Sequence, residues 1–423
     1  MERKITNELI KWKVDSYKRP LLLSGISGCG KTHTVIKFGK DEYKNIVYFD
    51  CDQNLELTYV IEKNTTKEKL IKALSAISLE TILKEDTLIV FDNVSDKVLV
   101  SIKKLFTGED YHIIMITNDD KIVKKHKTEG INYKKMDLVT FPEYLKYVGK
   151  EQLVDFIEDS FKNNKSMPFH TLATELYNDF VITGGYPSAI TKYNKEQDYN
   201  MLGNTLDKNI KLIKYKLIKL DNLIDIKRGQ EVYNNISIQL LKDNKKFQYG
   251  NIKPGARSKE YEKSIEFMQT NKMIIKSTRI TALTSPISKN KDEESFKLYY
   301  NVSGILYKKL NVSGNRLITN TKLLELLYEN NIVKTLSNNG FNIYHYHSGG
   351  KAFIDIVIQT RTGKIIPIEI LHGEDNAKSK SMTLSMKKYN LNLGIRFGSE
   401  DFKMKNNIKY IPYYAAFCIV ESL

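Results

Sequence analysis

Gly25-Ile26-Ser27-Gly28-Cys29-Gly30-Lys31-Thr32 follows the apolar run Leu21-Leu22-Leu23 and leads into Val35-Ile36-Lys37-Phe38. A strand, a glycine loop and a helix in that order are the context in which G-x-x-x-x-G-K-[ST] reads as a phosphate-binding loop. Glycines let consecutive backbone N–H groups turn inward, and the helix N-terminus adds partial positive charge. Lys31 would reach the β- and γ-phosphates, and the Thr32 hydroxyl would ligate Mg²⁺. The expected ligand is ATP with Mg²⁺, and the expected contacts are Gly25, Ser27, Gly28, Cys29, Gly30, Lys31, Thr32 and Thr34.

Three further apolar, β-branched runs follow, at Asn45–Asp50, Leu88–Asp92 and Ile113–Asn118, with helical stretches between them. Such runs predict a parallel sheet buried on both faces. Residues 5–17 predict an amphipathic helix that Pro20 stops. Asp92 ends its strand about sixty residues after Lys31, where a P-loop enzyme holds the carboxylate of the Mg²⁺ shell. Thr117 or Asn118, at the tip of the next strand, would meet the γ-phosphate or the attacking water.

The chain has 423 residues, enough for several domains, and is 41% hydrophobic and 27% charged. No apolar run approaches the roughly 18 residues that span a bilayer. The N-terminus lacks a signal-peptide core, so a cytoplasmic location is expected and no membrane partner. Cys29, Cys51 and Cys418 lie far apart and form no metal pattern. The net charge of +16 favours a polyanion such as DNA. Against that stands the scarcity of arginine: lysine-rich composition of this kind also follows from an AT-rich gene, without selection for nucleic acid.

The phosphate loop, the strand ending Phe91-Asp92, the Thr140–Leu145 segment and Thr183-Gly184-Gly185-Tyr186-Pro187 together resemble an archaeal and bacterial family. Its members are AAA+-type ATPases that carry a C-terminal domain of unknown function. The resemblance implies a helical lid containing the Gly184–Pro187 turn. It also implies a glutamate directly after the strand-terminal Asp, to polarise the attacking water. Here that residue is Asn93, an amide that can orient a water but cannot take its proton. Asp92, Asn93 and Asn118 are therefore the expected catalytic set. No arginine stands between Arg19 and Arg228, so an arginine finger would come from Arg257 or from another subunit of an oligomer. Slow hydrolysis is the expectation.

Residues 230–310 follow a winged-helix order: a helix at Gln230–Lys242, a short strand at Phe247–Tyr249, and a helix opened by Ser258 and running to Thr270. Strands at Met273–Lys276 and Phe296–Tyr300 then flank a polar wing. Arg257, Lys259, Lys263 and Lys272 near the second helix, with Arg279, Lys289 and Lys291 on the wing, suit duplex phosphates. Docking onto a protein partner is the rival reading.

Near the C-terminus, Phe353–Ile358, the turn Gly363-Lys364 and Ile365–Leu371 form a hairpin with Asp355 and Glu369 on its strands. This hairpin resembles the core of restriction-endonuclease-like nucleases, and Glu329 in the preceding helix matches their acidic helix residue. Glu329, Asp355 and Glu369 are thus a second expected metal set. The lysine that assists the water in those nucleases is replaced by Leu371, with Lys364, Lys378 or Lys380 as substitutes, and a further acidic position is Phe353. A degenerate site is expected. The resulting fold class is α/β, in four parts: a P-loop AAA+-type core at 1–145, a helical lid at 146–228, a winged helix at 229–312, and an endonuclease-like domain at 313–423.

Overall fold

The computed structural model describes residues 1–17, 19–63, 66–127, 130–220, 222–312, 320–349, 352–371 and 380–421. These form two compact units, Met1–Val139 and Thr140–Leu423.

The first unit alternates strands and helices. In order they are α1 (Lys4–Lys13), β1 (Leu21–Ser24), α2 (Lys31–Glu42), β2 (Asn45–Asp50), α3 (Leu55–Lys63) and α4 (Lys67–Ser78). Then come β3 (Thr87–Asp92), α5 (Asp96–Phe106), β4 (His112–Thr117), α6 (Asp120–His126) and β5 (Asn132–Lys135). All five strands are parallel, in the order β2-β3-β4-β1-β5. Every residue of β1 and β3 is buried, as expected where helices cover both faces of a parallel sheet. Helix α5 starts where the Ser95 hydroxyl accepts the Val98 N–H at 3.2 Å, and packs Val98, Leu99, Ile102 and Phe106 into the core.

The four strands expected in this unit are present. β5 was not expected: its Asn-Tyr-Lys-Lys sequence sits at the sheet edge, every residue half-buried, so it shows no apolar run. The first helix ends at Lys13 rather than reaching residue 17.

The second unit opens with helices: α7 (Phe141–Tyr147), α8 (Gln152–Asn163), α9 (His170–Thr183), α10 (Pro187–Glu196), α11 (Tyr199–Leu217), α12 (Leu223–Leu240) and α13 (Ser258–Thr270). Strands β6 (Ile274–Ile280) and β7 (Lys291–Tyr300) follow, then α14 (Ser303–Leu310) and α15 (Thr321–Asn338). It closes with β8 (Tyr344–His347), β9 (Phe353–Gln359), β10 (Ile365–Ile370), α16 (Lys380–Lys388), β11 (Gly394–Gly398), β12 (Lys403–Lys405) and β13 (Ile408–Pro412).

One eight-stranded sheet runs through the expected winged-helix and endonuclease-like segments, in the order β12-β13-β11-β10-β9-β8-β6-β7. The hairpin β6–β7 has the antiparallel pairing foreseen for the wing strands, but β6 also pairs in parallel with β8. The segments meant to fold separately thus share a sheet. The expected strand at Phe247–Tyr249 is reduced to one bond, Phe247 N–H to the Phe296 carbonyl at 2.8 Å, followed by a short 3-10 turn. Helix α13 matches its expected span, with Arg257 rather than Ser258 at the N-cap.

Helix α15 is buried on nearly all sides and keeps its polar groups paired. The Asn330 side chain accepts the Tyr300 N–H at 3.0 Å and donates to the Tyr300 carbonyl at 2.8 Å, completing the edge of β7. The Gly184 turn packs on α14: a Cβ at Gly184 would stand 2.6 Å from the Gly304 nitrogen, and φ there is +68°. Only glycine satisfies both conditions. Among the described residues, no helix is long and apolar enough to cross a membrane.

Candidate nucleotide site

The loop between β1 and α2 is shaped by its glycines. Gly28 and Gly30 have φ of +81° and +97°, and Gly30 is the N-cap of α2. At Gly25 a Cβ would stand 2.1 Å from the Met136 carbonyl oxygen, so any side chain would push the loop off β1. Cys29 is fully buried; its thiol donates to the Met136 carbonyl at 3.4 Å, and its own carbonyl accepts from Arg3 at 2.8 Å. Arg3 also donates to the Asp137 carbonyl at 2.7 Å, tying the loop to the segment after β5. The sequence reading missed this clamp. Thr34 is buried on the first turns of α2, and Ser27 is half-buried in the loop.

Lys31 extends under the loop. Its ammonium donates to the Gly25 carbonyl at 2.9 Å, the Ile26 carbonyl at 3.2 Å and Asn118 Oδ1 at 2.6 Å. Burial lowers its pKa, while the Cys29 and Asp92 charges oppose that shift.

Strand β3 delivers Asp92 opposite the loop. Asp92 is 5% exposed and accepts hydrogen bonds from the Thr32 hydroxyl, from the Tyr48 hydroxyl at 3.1 Å and from the Asn93 N–H at 2.8 Å. Burial, and then the Asp92 charge, hold the Tyr48 phenol well above its usual range. Asn93 takes the left-handed conformation at φ +55°, one that asparagine adopts more readily than most residues. Its amide N–H donates to Asp50 Oδ1 at 3.1 Å, and its oxygen accepts from Asn118 at 3.5 Å. Asp50 is the register partner of Asp92 on the neighbouring strand. Asp92, Asn93 and Asn118 are thus brought together with Lys31 and Thr32, and Asp50 and Tyr48 join them. Asp50 had a visible signal, since β2 ends in aspartate as β3 does. Thr117 is buried, its hydroxyl accepting the Asp119 N–H at 3.1 Å.

Residues 17–145 match the family model described as AAA domain. The first unit has the fold of an AAA-type P-loop ATPase. Two models for domains of unknown function cover the rest, DUF8612 at 174–316 and DUF4143 at 322–416. No curated protein matches in sequence. Among solved structures, similarity extends to the Walker-type ATPase PABY2304 of Pyrococcus abyssi, at 10% identity and TM-score 0.37, covering 74% of this chain and 96% of that one. PCH-2 of C. elegans is similar at 13% identity and TM-score 0.30, covering 51% and 69%.

Outside the P-loop ATPase unit, the residues expected to bind a second metal go to different partners. Glu369 accepts from Arg396 Nε at 2.9 Å and from the Met382 N–H at 3.2 Å. Glu329 is fully buried, paired with Lys245 and accepting from the Tyr299 hydroxyl at 2.7 Å. Burial alone would raise the Glu329 pKa, but the Lys245 and Lys297 charges outweigh it and hold the carboxyl below its usual range. Asp355 accepts the Ile370 N–H at 3.0 Å. Among the described residues, no group of three His, Cys, Asp or Glu is placed to hold a metal. Lys378 lies outside the described residues.

Two of the side chains expected on DNA, Arg279 and Lys263, have partners within the second unit. Arg279 donates to the His347 carbonyl through Nε and Nη2 and to Asp292 at 3.1 Å, and Lys263 stands 3.4 Å from Asp225. Helix α13 carries two lysines and three glutamates, so its own charge is negative. The sequence reading weighed the cations and left Glu260, Glu262 and Glu266 out of the charge balance.

Proposed function

We propose that this protein binds ATP with Mg²⁺ at the Lys31 site and hydrolyses it slowly, acting as a nucleotide-dependent switch. The observation that carries the reading is the group of Lys31, Thr32, Asp92, Asn93 and Asn118 around one glycine loop. The residues fit the metal, because the Thr32 hydroxyl and the Asp92 carboxylate already meet, and both are hard oxygen donors suited to Mg²⁺. When bound, the ion would neutralise phosphate charge. Lys31 would exchange its loop carbonyls for phosphate oxygens, and Asn118 would be released to face the γ-phosphate or the water.

Slow turnover follows from Asn93. A general base contributes about 10²–10⁴ in rate, and an amide has no proton affinity to offer. The amide is also held, by Asp50 on one side and Asn118 on the other.

A partner of the second unit is read better as protein than as duplex DNA, because α13 is acidic overall and Arg279 and Lys263 have internal partners. Both readings are tested together by calorimetry with ATP and phosphate release, with and without duplex DNA at low and high salt. Wild type should bind ATP, turn over more slowly than about 1 s⁻¹, and show no salt-dependent response to DNA. Brisk, DNA-stimulated hydrolysis would reject the switch and the protein partner alike.

A further inference from the structure

Lys297 lies in the middle of β7, in the run Ser295-Phe296-Lys297-Leu298-Tyr299-Tyr300. It is 1% exposed, and its ammonium has no hydrogen-bond partner. The Phe353 ring lies under the ammonium, 4.7 Å to its centroid, and the Glu329 and Asp355 charges act on that ammonium without a hydrogen bond. Such a cation face contact does not offset the cost of burying an ion. The neighbouring lysine behaves differently: Lys245 is answered directly by Glu329.

Lys297 belongs to the wall of a pocket of about 490 Å³ within the second unit. Leu240, Leu326 and Phe353 give the pocket apolar sides, and Lys242, Asp243, Lys245, Glu325 and Asp355 share its polar lining with Lys297. Thr321 and Lys322, the first two residues of α15, stand at the same pocket. The opening N–H groups of a helix have no intrahelical acceptor, and the 18-residue α15 adds its positive end there. A pocket of this volume is of the size that takes a small metabolite.

We propose that this pocket is a binding site for a small molecule with an anionic head, a phosphate monoester or a carboxylate, whose head pairs with Lys297 near the N-terminus of α15. The apolar walls would cover the rest of the ligand. Two independent features favour the same charge, the buried cation without a partner and the helix end. Of the lining carboxylates, Asp355 accepts from Ile370, and Asp243 stands 3.9 Å from Lys322 at the exposed rim. Burial lowers the pKa of Lys297, and an anion in the pocket would restore its charge.

The test uses the full chain in a Lys31→Ala background, so that phosphate binding at the glycine loop does not contribute. Inorganic phosphate and hexanoate are titrated separately, read by calorimetry and by thermal shift. At least one should bind with a Kd of about 10 mM or tighter, and Lys297→Met should weaken it at least about tenfold. Binding of phosphate alone would mark the head as a phosphate, and of hexanoate alone as a carboxylate with an apolar tail. Leu241→Trp, a half-exposed position in the lining, keeps Lys297 and fills the pocket, so it should abolish binding if Lys297→Met fails to fold. Equal affinity in wild type and Lys297→Met, or no binding of either probe, would overturn the proposal.

Discussion

Asn93 Nδ2 donates to Asp50 Oδ1 at 3.1 Å, joining the residue after Asp92 to the last residue of the neighbouring strand. The contact makes position 93 dependent on position 50. A glutamate at 93 would face the Asp50 carboxylate at hydrogen-bond distance and would also have to occupy φ +55°.

Asn93→Glu alone is therefore expected to gain little turnover. The double variant Asp50→Asn/Asn93→Glu reverses the pair, keeps the hydrogen bond and supplies a base. Its phosphate release should exceed wild type by about 10²-fold. A single Asn93→Glu variant as fast as the double one would show that Asp50 exerts no restraint.

Lys31→Ala should weaken ATP at least tenfold in calorimetry, about 1.4 kcal/mol or more. Asp92→Asn should leave a measurable ATP affinity that no longer improves when Mg²⁺ is added, because the hydroxyl–carboxylate pair with Thr32 is lost. Retained Mg²⁺ dependence in Asp92→Asn would place the ion elsewhere.

Glu329→Gln removes the carboxylate that pairs with Lys245 and the first-ranked anionic charge acting on Lys297. Breaking a buried pair from one side costs about 3–5 kcal/mol, so urea unfolding should show a loss of that size. Because the folded-state pKa of Glu329 is depressed, its contribution is present above the unfolded carboxylate pKa and is lost as pH falls through the folded one. A Glu329→Gln variant as stable as wild type at pH 7 would deny the pair its role.

His345 is buried beside Ser277, with its pKa pushed down to about 2 by burial and then by the Lys297 charge. In the unfolded chain it takes a proton near pH 6.5, so the unfolded state binds more protons below that value. Stability should fall between pH 6.5 and 5 with a slope approaching about 1.4 kcal/mol per pH unit from this residue. The Glu329 effect lies at lower pH and does not enter that window. His345→Gln should flatten the slope; an unchanged slope would assign it to another group.

The first unit was legible because parallel strands buried on both faces must be apolar, and β1 to β4 announce themselves that way. β5 was hidden by its polar edge sequence. At the site, Lys31, Thr32 and Asp92 followed from spacing, while Tyr48 and Asp50 are contributed by β2 through its register with β3, which spacing does not encode. In the second unit, helix α13 was placed correctly, but the charges of its three glutamates were left out of the balance that read it and its flanks as basic. Lys297 was silent because a lysine in an alternating strand reads as a solvent-facing residue. The distribution of Glu329, Asp355 and Glu369 among separate partners depends on Lys245 and Arg396, both distant in sequence.

The parallel pairing of β6 with β8 has a consequence for inheritance. The two matches to domains of unknown function end at 316 and begin at 322, between strands that lie side by side in one sheet. A recombination event at that seam would deliver two halves, each with a bare row of backbone donors and acceptors. Each half expressed alone is therefore expected to expose an unpaired strand edge that the intact chain covers.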